Sequence, residues 1–370
     1  MKRMRVGIDG HMVGGQETGN ETYIKGLVDG LAELKPELDA LVFHVDGAWA
    51  SARPPLTFQR LVTGSPYFRL VVDLPARSVA QRLDVLHMTY AAPVWSAAPI
   101  VLTVHDICYA TNPEWFSARD LRVLNAVIPR SIRHAAHVIT DSDSARQEII
   151  GRYGVPEAKI SAIPIGPGAG ASPISTEEGR AALSALGLSP SKPYLLAVGN
   201  LQPRKNLERL IQAFQVLVRD RGHDIDLVIV GPKRFHADLI VDAARSLADR
   251  VHFTGYVTDT QLAACYRCCT TFVFPSLYEG FGLPALEAMA QGAPVACSNA
   301  GALPEVCGQA ALYFDPRSVD AMVDAVEKIL GDANLRKSLV EAGLSRAREF
   351  SWRRTAELTV EIYRRAASSS

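Results

Sequence analysis

The side chains best placed for chemistry in this 370-residue sequence fall in its second half, in Tyr278-Glu279-Gly280-Phe281-Gly282-Leu283-Pro284-Ala285-Leu286-Glu287. Pro284 suits a first helical position and Gly292 a helix end, so Glu279 is expected in a loop and Glu287 one turn into a helix. Gly280 and Gly282 let backbone amides come close to a ligand, beside a helix N-terminus that favours phosphate. Carboxylates accept hydrogen bonds from hydroxyls, so two of them separated by this turn suit two polyols, such as a sugar and a ribose. Taken singly, either glutamate reads as a solvated surface acid.

A cationic pair precedes this stretch. Gly199-Asn200-Leu201-Gln202-Pro203-Arg204-Lys205-Asn206 follows an apolar run at 195–198, and Leu207 opens an amphipathic stretch with Leu210, Ile211 and Phe214. Arg204 and Lys205 thus stand at the carboxyl end of an expected strand. Arginine bonds phosphate oxygens bidentately and lysine supplies a compact charge, which suits a diphosphate whose negative charge grows as it leaves. A solvated pair capping the next helix is the plainer alternative. Near the N-terminus, Asp9-Gly10 runs into a loop containing Gly14, Gly15 and Gly19 ahead of a helix near Glu21. Such a loop frees amides for an anion, or simply turns the chain. Its spacing is not G-x-G-x-x-G, so the dinucleotide fingerprint is absent. Cys265, Cys268 and Cys269 lack a fourth ligand at matching spacing, so they are expected to pack as thiols around 272–274 rather than hold a metal.

These residues need a scaffold of strands ending in loops. Apolar runs at 5–9, 41–45, 85–88, 100–104 and 137–140 alternate with helical patterns such as 21–34 and 143–152. After a Pro/Gly-dense stretch at 163–173, a second alternation has strands at 194–198, 227–230, 251–253, 272–274 and 294–297. That rhythm predicts two α/β domains with parallel sheets, doubly wound, facing each other across a cleft at the carboxyl ends of their strands. The boundaries expected are 1–166 for the first domain, 167–191 for a linker and 192–351 for the second, with another helical stretch from about 352 to 365 and a frayed tail. Basic and acidic residues balance at 39 each, which argues against nucleic acid as the main partner. There is no secretion signal, no apolar run approaching the roughly 20 residues of a membrane span, and no disulfide-like cysteine spacing, so the expected compartment is the cytoplasm.

With Glu279 through Glu287 matching an E-x7-E motif with an F-G-L-P core, and Arg204-Lys205-Asn206 matching an R-K-N segment, the chain resembles the retaining glycosyltransferases of family 4 over nearly its whole length. That resemblance implies the GT-B fold of two Rossmann-like domains, with terminal helices at 352–370 crossing back onto the first. It implies that Arg204 and Lys205 hold a nucleotide diphosphate, that Phe281, Gly282 and Leu283 meet sugar and phosphate, and that Glu279 and Glu287 bind sugar and ribose hydroxyls. Gly199 and Asn206 belong to the same donor segment, and Tyr256 and Val257, in Gly255-Tyr256-Val257, to the part beside the nucleobase. Gly14 and Gly15 resemble the loop that closes on the diphosphate, without matching the family pattern residue for residue. His105, in Thr103-Val104-His105-Asp106, resembles the family's active-site histidine; a lone histidine at a strand end is equally a structural hydrogen-bonder.

The expected activity is hexosyl transfer from a nucleotide diphosphate sugar to a glycan or lipid-linked acceptor, without metal or other cofactor. GDP-mannose is the first expectation for the donor, as in surface polysaccharide synthesis. UDP-glucose or a UDP-N-acetylhexosamine is the alternative, and a nucleotide-sugar epimerase or a glycogen-synthase-like polymerase is the rival on the same fold. Arg119, Arg122, Arg130 and Arg133 among apolar residues at 117–134 would suit peripheral attachment to the inner face of an anionic membrane. Pro129 interrupts that pattern and favours an ordinary surface helix.

Overall fold

The structure is a computed structural model that describes residues 3–14, 18–35, 38–45, 47, 49, 55–233 and 237–368. It divides into two compact units, one of 1–113, 117–166 and 350–370, the other of 114–116 and 167–349.

The first unit is built on seven strands: β1 (Met4–Asp9), β2 (Leu38–His44), β3 (Thr57–Arg60), β4 (Val85–Thr89), β5 (Ile100–Thr103), β6 (His137–Thr140) and β7 (Ile160–Ala162). Their order is β3-β2-β1-β4-β5-β6-β7, with every pairing parallel. The inner strands β4, β5 and β6 are buried along their whole length, as strands covered on both faces must be. Because the sheet is parallel, the residues that follow β1, β4, β5 and β6 emerge along one edge, and this brings Asp9, Tyr90, His105 and Asp141 to the same end. The helix Ala118–His134 runs through Pro129 without a break, contrary to the expected interruption. The carbonyl that Pro129 leaves without an amide belongs to Asn125, an exposed residue, where water can serve it.

The last helix, Trp352–Ser368, belongs to this unit and lies along the helix Thr18–Leu34. Two glycines one turn apart make room for it: a Cβ on Gly26 would lie 2.0 Å from the Trp352 ring, and one on Gly30 would lie 2.2 Å from the Trp352 carbonyl oxygen. A buried chain of hydrogen bonds fixes its far end. Tyr363 meets His87 Nδ1 at 2.5 Å, His87 Nε2 meets Thr103 Oγ1 at 2.8 Å, and Tyr23 closes on the same hydroxyl at 2.8 Å.

The second unit holds β8 (Tyr194–Val198), β9 (Asp226–Val230), β10 (Val251–Gly255), β11 (Thr271–Phe274), β12 (Val295–Ser298) and β13 (Leu312–Phe314), in the order β10-β9-β8-β11-β12-β13, again all parallel. Leu195, Ala197, Leu227, Ile229, Phe214, Met322 and Val326 are among the core that fills one face of this sheet. The stretch 167–191, read as linker from its prolines and glycines, carries the helix Thr176–Ala185 with a Ser175/Glu178 capping box. Gln291 Nε2 donates to the carbonyls of Gly170 and Ser172 at 2.8 and 2.6 Å, so the small-residue segment is fastened to the body of this unit.

Candidate functional site

The second unit's site starts from a turn. β8 runs into Gly199, whose φ of +148° and lack of a side chain let Lys205 fold back against it; a Cβ there would stand 2.8 Å from the lysine Cε. Pro203–Lys205 form one 3-10 turn, and Asn206 ends it in the left-handed region at φ +56°. The Asn206 amide donates to the carbonyls of Pro275 and Pro316 at 3.0 and 2.7 Å, while its oxygen accepts from Arg209 at 2.8 Å. The Asn206 side chain is thus satisfied inside the protein and pins the cationic turn to the loop after β11.

That loop carries Glu279. Arg204 Nη1 donates to Glu279 Oε2 at 2.8 Å and to the Tyr278 carbonyl at 2.9 Å, and Lys205 Nζ donates to Glu279 Oε1 at 2.7 Å. The lysine ammonium also stands 4.9 Å from the centre of the Phe274 ring. Burial alone would raise the Glu279 pKa, but the two cations override it and hold the carboxyl at about 2. The backbone here is clamped from β12: Ala302 N–H donates to the Glu279 carbonyl at 3.0 Å, and a Cβ on Gly301 would lie 2.5 Å from that oxygen. Gly301 is a site residue that motif reading missed; its signal is the Ser-Asn-Ala-Gly turn after β12.

Gly282 caps the helix Leu283–Ala290 at φ +120°, with Pro284 in the first turn. A side chain at 282 would collide with Leu303, 2.6 Å from the Cβ position. Phe281 is buried and Leu283 half-buried. Glu287 lies one turn along the helix, buried, and accepts from Tyr266 Oη at 3.0 Å. Burial, helped by the charge of Asp259, pushes its pKa up to about 7 against the opposing hydrogen bonds from Tyr266 and the Gly170 backbone. Tyr256 and Val257 follow β10 at the same edge of the sheet, with the tyrosine ring 60% exposed and the valine buried. The structure thus joins Arg204, Lys205 and Glu279 directly, while Glu287 faces Tyr266 and Gly170, and Tyr256 and Val257 follow β10.

In the first unit, His105 is buried at the end of β5, its ring set edge-on to Tyr23 and Tyr90 with centroids 4.7 and 5.5 Å away. Nδ1 meets Asp141 Oδ2 at 2.7 Å, and Nε2 is buried with no hydrogen-bond partner in the protein. Burial opposes the imidazolium, but the charge and hydrogen bond of Asp141, helped by Asp106, outweigh it and raise the pKa above the ordinary histidine value. A carboxylate on one ring nitrogen fixes the ring and aims the other nitrogen, the arrangement by which an imidazole is made ready for a ligand hydroxyl. Asp141, Tyr23 and Tyr90 escaped sequence reading, since Asp141 and Tyr90 become neighbours of His105 only through sheet pairing, and Tyr23 only through packing of the helix Thr18–Leu34 on the sheet. Asp9, at the end of β1, is buried in an ion pair with Arg69 and lies 3.1 Å from His11 Nδ1. Gly14 has φ +92° in the turn that follows; Gly15 lies outside the described residues. Among the described residues no group of three or more His, Cys, Asp or Glu side chains is placed to hold a metal ion. The three clustered cysteines are free thiols, two of them buried.

A family model described as "Glycosyl transferases group 1" matches residues 181–346, and one described as "Glycosyltransferase Family 4" matches residues 18–166. The O-antigen chain mannosyltransferase B of Escherichia coli is 34% identical over 266 residues, covering 71% of this chain and 70% of its own. The chain belongs to glycosyltransferase family 4. This glycosyltransferase is also 28% identical to the D-inositol 3-phosphate glycosyltransferase of Kineococcus radiotolerans, over 95% of this chain and 91% of that one. Among solved structures, a sucrose-phosphate synthase from Thermosynechococcus elongatus superposes with a TM-score of 0.76 at 22% identity, covering 100% of both chains. The two Rossmann-like units are those of the GT-B fold. No helix among the described residues is long and apolar enough to cross a membrane.

Proposed function

We propose that this glycosyltransferase moves a mannosyl group from GDP-mannose to a hydroxyl of a glycan or lipid-linked acceptor, with retention at the anomeric carbon, in the assembly of a surface polysaccharide. The observation that carries the reading is the cluster in which buried Lys205 and half-buried Arg204 converge on buried Glu279 in its glycine-rich loop. Kinship with an O-antigen mannosyltransferase supports the choice of sugar.

In this reading the donor's diphosphate lies against Arg204 and Lys205, whose N–H donors together outnumber the two oxygens of Glu279. Glu279 stays ionised across the working pH range and accepts from hydroxyls of the transferred sugar, while Glu287 accepts from the ribose. Backbone at Gly199 and at Phe281, Gly282 and Leu283 lines the phosphates and sugar, and Tyr256 and Val257 border the base. His105 Nε2 meets a hydroxyl of the transferred sugar. The bond between the anomeric carbon and the β-phosphate oxygen breaks, and the acceptor oxygen bonds to the same face of that carbon. The acceptor's proton passes to the departing phosphate oxygen. No protein nucleophile takes part, so positioning and charge stabilisation supply the rate.

One incubation series tests this: the protein with an acceptor glycan and, in turn, GDP-mannose, UDP-glucose and UDP-N-acetylglucosamine, each with and without a chelator. The expected result is GDP release with an acceptor enlarged by one hexose, undiminished by the chelator because cationic side chains supply the positive charge. Product from a UDP-sugar alone would move the assignment to that donor, and interconversion of the donor without transfer would make the protein an epimerase.

A further inference from the structure

Two buried polar atoms of the first unit, His105 Nε2 and Asp141 Oδ1, have no hydrogen-bond partner in the protein, and both belong to one hydrogen-bonded pair. Buried polar groups are almost always partnered, so a pair that keeps two of them open marks a place for a ligand. The protein holds this pair stiffly. Val104 N–H donates to the Ile139 carbonyl at 2.8 Å and Thr140 Oγ1 to the His105 carbonyl at 3.3 Å, which fixes the end of β5 to the end of β6. Tyr23 stands edge-on to the imidazole with its hydroxyl tied to Thr103. Tyr90 borders the same ring from φ +58°, a left-handed conformation that bulky residues rarely adopt. Strain of that kind gathers at functional sites.

The charge on the ring follows from the groups that face it. Asp141 comes from the turn after β6, and Asp106 from the next position in the chain, its Oδ1 accepting from Cys108 N–H at 3.0 Å. On β4, His87 is driven by burial to a pKa of about 3, so it stays neutral and adds no competing charge. Burial likewise keeps the Tyr23 hydroxyl un-ionised, and Asp9, at the end of β1, is paired with Arg69. Asp141 therefore settles both the charge and the tautomer of His105. While the ring carries two protons, Nδ1–H donates to Asp141, Nε2–H is left to donate to a ligand, and the pair is neutral overall. With one proton, Asp141 keeps it on Nδ1, Nε2 becomes an acceptor, and the pair carries a negative charge. A donor bearing a diphosphate is itself anionic, so its approach favours the first state.

We propose that Asp141 is a positioning residue for sugar transfer, keeping His105 protonated on both ring nitrogens so that Nε2–H donates to an oxygen of the transferred sugar. The idea deepens the reading above and rests on it for the identity of the ligand alone. His105 then acts neither as a base nor as an acid: its proton stays on Nε2, and the acceptor's proton still leaves with the departing phosphate oxygen. The sugar oxygen that meets His105 accepts, so that hydroxyl's own hydrogen is free for another partner.

Two measurements test the proposal. The first is kcat at saturating donor from about pH 6 to pH 10, a profile that reports groups in the bound complex. The parent should hold its rate through neutral pH and lose it on the alkaline side. Asp141→Asn keeps the side chain's shape and removes its charge, so the same limb should move down by about one to three pH units, and Asp106→Asn should move it less. The second is a nuclear magnetic resonance titration of ligand-free protein labelled with 15N at histidine, the His105 signals being those missing from His105→Gln. In the parent both ring nitrogens should stay protonated beyond the ordinary histidine midpoint of about 6.5, and in Asp141→Asn burial should bring the titration below it. An alkaline limb that Asp141→Asn leaves in place overturns the proposal. So does a parent ring that has lost its Nε2 proton at about pH 6.5, a result that needs no variant to fold. Turnover with none of the donors would remove the transfer reading, while the ring's charge, read without ligand, still decides whether Asp141 holds His105 in this state.

Discussion

Glu279 and Glu287 come from one short motif and are equally buried, at 7% exposure each, yet the first titrates at about 2 and the second at about 7. Two cations make the difference. For the ligand-free protein, a carboxyl whose pKa is raised from the unfolded value of roughly 4.3 to about 7 holds its proton more firmly when folded, so its contribution to stability declines as pH climbs through that window. In the proposed reading, ribose hydroxyls donate more strongly to the ionised carboxylate than to the neutral acid, so GDP binding at Glu287 would favour loss of its proton. Affinity measured by calorimetry should therefore tighten between about pH 6 and pH 8 with proton release, and Glu287→Gln should flatten that dependence. At Lys205 the expectation concerns rate: Lys205→Ala removes one preorganised charge from the leaving diphosphate and should lower turnover by about 10²–10³, read in protein that still unfolds cooperatively. Both glutamates and both cations were legible from local spacing. Asp141 was not, because a residue 36 positions from His105 becomes its partner only when β5 and β6 pair.

At the scale of elements, the strands that periodicity located are the inner ones and the edge strand β10, while β3, β7 and β13 went unread. Each is at a sheet edge, three or four residues long, and mixed in burial, so no apolar run marks it. The packing of the helix Trp352–Ser368 on Thr18–Leu34 was equally hidden, since nothing in the composition of Thr18–Leu34 says which glycine meets a tryptophan. That contact makes a prediction of sign. Gly151, inside the helix Asp143–Tyr153, has open space around its Cβ position, so Gly151→Ala should stabilise by roughly 0.5–1 kcal/mol as helix propensity dictates. Gly26→Ala should instead destabilise, by about 1–3 kcal/mol, because its methyl enters the Trp352 ring. Denaturant unfolding of the two variants beside the parent decides it.

Across the whole molecule, 39 cations cancel 39 anions, so affinity for a doubly charged diphosphate has to come from a local arrangement. Both units build theirs the same way: parallel strands deliver polar residues to one edge, where glycine turns and helix starts receive them. The division into two α/β bodies was readable because each alternation of strand and helix closes its own sheet. The destination of the last helix was not readable from periodicity alone. The account stands on Arg204 and Lys205 gripping a nucleoside diphosphate, and thermal unfolding of the parent and of Lys205→Ala with GDP, UDP and their sugars tests it most directly. One diphosphate present at about 100 times its dissociation constant should stabilise the parent by about 2.7 kcal/mol and leave Lys205→Ala almost unmoved. Equal stabilisation of both proteins, or none of the parent by any of these ligands, would contradict it.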